Sequence, residues 1–128
     1  MTTTDEPTVR YATTVTSVGV LVPDFVEQGM LIIFGDNAPA ELHDICALHR
    51  PEVSEGGVEP GDVLWLDDAS FTILSVGSVA NENLSALGHV SFKANGSTDA
   101  QLPGDISLEN VPLPQLHEGS RVRIVAAS

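Results

Sequence analysis

Residues 62–76, DVLWLDDASFTILSV, constrain this chain more than any other stretch. Two runs of β-favouring side chains meet at Asp67 and Asp68, which is the pattern of an antiparallel hairpin. Similar short runs recur on both sides of it. YATTVTSVGV (11–20) is rich in Thr and Val, and MLIIF (30–34) has the length of a buried strand. HVSFKA (89–94) alternates Val90 and Phe92 with polar neighbours, while DISL (105–108) and RVRIV (121–125) complete the set. Gly and Pro punctuate the gaps at Pro103, Gly104 and Gly119. Many short strands joined by turns predict a mainly β fold, a compact barrel or sandwich. With 128 residues and 42% hydrophobic side chains, the chain can bury one core without cross-links. The polar opening MTTTDEPTVR is expected to be a disordered lead-in over 1–10, followed by a single domain over 11–128.

Two segments interrupt the strand pattern. In NAPAELHDICALHR (37–50), Pro39 is tolerated in a first helical turn, and Leu42, Ile45, Cys46 and Leu48 recur near helical spacing. Pro51 forbids continuation, so a helix is expected to end near His49 and to leave that imidazole at a helix-to-loop exit. NENLSAL (81–87) is expected to form a short helical turn capped by Asn81 and ended by Gly88, just before His89.

Charge removes several functions. Eighteen Asp and Glu against five Lys and Arg give a formal net charge of -13, which repels nucleic-acid phosphates and anionic lipid. No run reaches the roughly 18 apolar residues that span a bilayer. One cysteine cannot close an internal disulfide, and the N-terminus lacks the apolar core of a secretion signal, so a cytoplasmic location is expected.

The reactive side chains cluster. His43, Cys46 and His49 are spaced three apart and could present two metal ligands at a time. A structural zinc site usually takes four ligands with several thiolates, and no second cysteine exists, so no metal and no cofactor are expected. Cys46, between Ile45 and Ala47, reads as a buried small hydrophobe rather than a nucleophile. His43 and His117 read as surface histidines. His49 is open between an ordinary histidine and a nucleophile toward phosphorus, because an imidazole near pKa 6.5 is largely neutral at cell pH. Arg50 beside it could balance phosphoryl charge.

YATTVTSVG, MLIIFGDNAPAELHDICALH and VGSVANENLSALGHVSF resemble the glucitol/sorbitol-specific IIA component of the bacterial phosphoenolpyruvate-dependent sugar phosphotransferase system. The resemblance runs from about Tyr11 to Val125; VGSVAxxNLxxLGHV is its most specific part, and it occurs in order with AxLxxxCxxH. It implies a compact β-barrel, with one short helix carrying or preceding the active histidine. It also implies a phosphocarrier that accepts a phosphoryl group from the phosphocarrier HPr and passes it to a cysteine of a IIB domain, for sugar uptake through a IIC component. The motif histidine falls on His49, with phosphorus expected on Nε2 and Nδ1–H held by a carbonyl or side chain. Such a carrier should be exposed to two partners. His89 is either a second donor to the phosphoryl oxygens or a histidine packed at a strand start, and Gly77 and Ser78 could add loop donors. A non-enzymatic binding or regulatory module on the same barrel is the rival reading.

Overall fold

The computed structural model describes residues 8–100 and 102–127. Eight strands close into a barrel: β1 (Val9–Val18), β2 (Met30–Gly35), β3 (Ala47–Ser54), β4 (Val63–Leu66), β5 (Ala69–Val76), β6 (Val90–Lys93), β7 (Asp105–Leu108) and β8 (Arg121–Val125). Around the barrel the order is β1-β3-β2-β6-β7-β5-β4-β8. The expected hairpin is β4–β5, with Leu66 opposite Ala69 and Asp67 at φ 53°, the left-handed value that such a turn requires. The Asp67 carboxylate also accepts a hydrogen bond from the Arg121 N–H at 2.8 Å, which ties the turn to β8.

Alternation along the strands builds the core. Leu64 and Leu66, Phe71 and Ile73, Val90 and Phe92, and Val122 and Ile124 all point inward. Each such side chain withdrawn from water contributes roughly 1.5–3 kcal/mol before conformational entropy is counted. Six of the eight pairings are antiparallel, whereas β2–β3 and β6–β7 are parallel. A parallel pair needs a crossover of about a dozen residues, which lies over the outside of the sheet. Over β2 and β3 that crossover buries a second apolar cluster, Phe34, Ala38, Cys46 and Leu48, with Ile32, Leu42 and Ile45 packed against it. The sheet is therefore covered on both faces here.

That arrangement corrects the expected helix. Only Ala40–Ile45 is helical, as a 3-10 turn after Pro39, and Cys46 is already extended at φ -119° and ψ 147°. The helical spacing of Leu42, Ile45, Cys46 and Leu48 is real burial periodicity, but a strand takes over halfway because Ala47–His49 pair with Ile33–Gly35. His49 is thus a strand residue.

Two short α-helices complete the fold, α1 (Val22–Glu27), which the sequence reading did not anticipate, and α2 (Ala80–Leu87). Gly88 ends α2 in the left-handed conformation, at φ 65°, as expected. Asn81 is not its cap: its side chain bonds the N–H and the carbonyl of Val58, both at 2.9 Å. Of the expected lead-in, residues 1–7 lie outside the described residues, while Val9 and Arg10 already belong to β1. Arg10 is held because its Nε donates at 2.6 Å to the buried Asp62, which also accepts from the N–H groups of Glu59 and Ala127. Among the described residues, no helix is long and apolar enough to cross a membrane.

Candidate functional site

β3 alternates between the two faces of the sheet, which decides where each candidate side chain goes. His49 turns into the barrel and is 1% exposed, while Leu48 joins the outer cluster and Arg50 stands in solvent. β1 is paired across from it, with Val15 opposite His49 and a register shift before Ser17. Such irregularities re-aim side chains and are common beside sites. The expected helix-exit position, open to partners, is therefore not what the fold provides: the imidazole sits inside one end of the barrel.

Two contacts define its surroundings. The Tyr11 hydroxyl lies 2.7 Å from His49 Nε2, with the rings edge-to-face at 5.8 Å. Gly88 roofs both groups, since a Cβ added there would fall 3.0 Å from Nε2, 3.1 Å from the Tyr11 hydroxyl and 3.1 Å from the Gly35 nitrogen. Only a glycine can approach so closely, and its positive φ demands one independently. Leu87, which precedes the roof, is 46% exposed.

Burial fixes the protonation state. Desolvation lowers the His49 pKa from 6.5 to about 4, against the opposing pull of the Ala47 carbonyl and the Asp36 charge. Burial likewise pushes the Tyr11 phenol well above its ordinary value, so it stays an O–H. The expected Nδ1–H···carbonyl bond is not completed: the Ala47 carbonyl favours a protonated ring, yet Nδ1 has no hydrogen-bonded partner. An unpartnered buried polar atom costs about 1–3 kcal/mol, and such costs often collect at functional positions.

The other candidates separate from this centre. His89 is half-buried at the start of β6, its Nδ1 3.0 Å from the Ile33 carbonyl and its ring stacked on Phe34 at 4.4 Å. Phe34 belongs to the outer cluster, so His89 lies against the opposite face of the sheet from His49. Gly77 and Ser78 precede α2, at the opposite end from Gly88 of a helix roughly 12 Å long by its rise, and do not join the centre. Arg50 pairs with Asp36 at 2.9 Å on the surface. His43 is held locally through Nε2 to the Ala38 carbonyl at 2.8 Å, and His117 through Nδ1 to the Glu118 carbonyl at 2.9 Å. Cys46 is buried and its thiol is pushed up to about 11 by desolvation, so His43, Cys46 and His49 do not converge on one point. Among the described residues no group of three or more His, Cys, Asp or Glu could hold a metal.

Cationic help is equally absent. Arg10 pairs with Asp62, Arg50 with Asp36, Lys93 with Asp105 and Arg121 with Glu52, while Arg123 lies over the Trp65 ring at 5.6 Å. All five Lys and Arg side chains are thereby engaged. Tyr11 was missed in the sequence because a tyrosine opening a Thr/Val-rich strand reads as core. The inward register shared with the histidine five strand positions from its partner Ser54 becomes visible only once β1 and β3 are paired.

A family model described as PTS system glucitol/sorbitol-specific IIA component matches residues 10–123. Two similar proteins, the PTS system glucitol/sorbitol-specific EIIA components of Shigella flexneri and of Escherichia coli K12, are each 36% identical over 107 residues. Each match covers 84% of this chain and 86% of the relative. The crystal structure of a PTS system IIA component from Enterococcus faecalis V583 superimposes with a TM-score of 0.77 at 27% identity, covering 90% of this chain and 99% of that one.

Proposed function

The chain belongs to the glucitol/sorbitol-specific IIA component family and is a phosphocarrier of the sugar phosphotransferase system; from that premise we propose that His49 is the residue that carries the phosphoryl group. In this reading the donor is phospho-HPr, and the acceptor is a cysteine of a IIB domain working with a IIC component, in glucitol or sorbitol uptake. The observation that carries it is the state of His49: a buried imidazole kept neutral well below physiological pH, with Nε2 directed at a single glycine roof. A neutral ring has the lone pair that attack on phosphorus needs. In the step, the Nε2 lone pair forms an N–P bond while the N–P bond of the donor phosphohistidine breaks and its electron pair returns to the donor ring. Each ring keeps its other N–H, so no net proton changes hands.

Access requires movement of the α2–β6 turn, Leu87–Gly88–His89, because Nε2 has no open face with that turn in position. The Asp36 charge is close enough to act on the ring, and no spare cation is at hand, so a phosphoryl dianion would be held at high energy. That suits a carrier that must give its cargo away.

One observation favours a second reading, with His89 as the carrier. Its Nδ1–H is held by the Ile33 carbonyl, which leaves Nε2 as a lone pair, and the ring is half-exposed without any opening motion. Incubation with phosphoenolpyruvate, enzyme I and HPr, followed by mapping of the acid-labile phosphate, separates the two. Label on His49, lost in His49→Asn and kept in His89→Gln, is the expected result. Label on His89 would transfer the role, and no label from a competent relay would refute both assignments.

A further inference from the structure

We propose that Tyr11 is a second working residue of the relay: its O–H caps Nε2 of His49 in the unloaded protein and turns to a phosphoryl oxygen once that nitrogen carries phosphorus. This rests on His49 being the carrier. It adds a residue that neither the motif spacing nor the other histidines would identify.

The direction of the Tyr11–His49 bond follows from counting buried partners. If the ring donated from Nε2 to the phenol oxygen, the Tyr11 O–H would need an acceptor of its own, and its single hydrogen bond among the described residues is the one to His49. Nδ1 would be a bare lone pair as well, leaving two groups unsatisfied. If Tyr11 donates to Nε2, only one group remains unsatisfied, Nδ1–H. The phenol therefore selects the tautomer with its lone pair on Nε2, the nucleophilic one.

The same hydrogen bond blocks the reaction until it is released. The Nε2 lone pair cannot hold the phenol proton and attack phosphorus together. After the N–P bond forms, the lone pair is consumed and the O–H, which lies 2.7 Å from that nitrogen before loading, is left facing the new group. A phosphoryl oxygen is the acceptor then within its reach, and among the described residues each of the five cationic side chains already has a partner. The bond exchanged is the stronger one, because its acceptor is charged.

The test is the equilibrium of phosphoryl exchange between phospho-HPr and this chain, for wild type and Tyr11→Phe, with the labelled residue mapped in each. The variant loses a neutral hydrogen bond in the unloaded state and a charge-assisted one in the loaded state, so exchange should shift about tenfold back toward phospho-HPr. Label on His49 in both proteins with that shift supports the proposal. Label on His49 with an equilibrium within twofold of wild type overturns it, leaving Tyr11 a packing residue. Label elsewhere in the wild type removes the reading of His49 itself, and this proposal with it. Should Tyr11→Phe fail to fold, the wild-type chain decides by NMR. The Tyr11 hydroxyl proton should couple to Nε2 of His49 before loading and to phosphorus after it; a hydroxyl signal indifferent to loading rejects the proposal.

Discussion

Lowering pH should unfold this protein partly through one imidazole. His49 has a pKa of about 4 in the folded chain against 6.5 when unfolded, so between those values the unfolded chain binds the extra proton. Stability therefore rises with pH across that window: the contribution is complete above about pH 6.5 and is lost as pH falls through the folded value. The full linkage is worth roughly 3 kcal/mol, of which roughly 2.5 kcal/mol is gone by pH 4.5. Carboxylates also titrate toward the acid end, so the measurement must be a difference. Urea unfolding of wild type and His49→Asn, from pH 7.5 to 4.5, shares every other titrating group. The gap between the two stabilities should close, or change sign, by roughly 2.5 kcal/mol over that range. An NMR titration of the His49 ring nitrogens gives the same quantity directly. Parallel stability curves, or a ring midpoint near 6.5, would show that the barrel end is wetter than its packing implies and would remove the argument for a permanently neutral nucleophile.

Gly88→Ala should cost about 1–3 kcal/mol in urea unfolding, since its Cβ meets both Nε2 and the Tyr11 hydroxyl in a left-handed backbone; full stability would mean the roof relaxes freely. Arg10→Gln strips the buried Asp62 of its cation and should lower stability by about 3 kcal/mol, whereas a change below 0.5 kcal/mol, an estimate typical of surface sites, would show that the backbone N–H groups suffice. Cys46, with its thiol pushed up to about 11, should react with iodoacetamide at pH 8 only as fast as the chain opens; labelling at the rate of a free thiol would place it in solvent instead.

The strands were legible because local alternation and local packing agree in them. DVLWLDDASFTILSV folds as written, since the turn residues and both inward faces lie within one stretch. The span around His49 was not, because two periodicities overlap there. Leu42, Ile45, Cys46 and Leu48 bury one side of a crossover, and helical spacing describes that burial well until Ala47 is drawn into a parallel ladder with Ile33. That long-range pairing has no local signature. It moves His49 from a presumed surface to the interior and sends Arg50 outward. The site follows the same rule: His49 and Gly88 carry motif signals, but Tyr11 comes to them only through the pairing of β1 with β3.

Closure also limits how a partner can hold this protein. Each of the eight strands is hydrogen-bonded on both sides, so among the described residues there is no free sheet edge to which a passing chain could add a strand. Recognition is then made by side chains and turns, without the long main-chain ladder that makes strand addition tenacious. Contacts of that kind release quickly, and a relay component that must let go of one protein before meeting the next gains turnover from having little to grip.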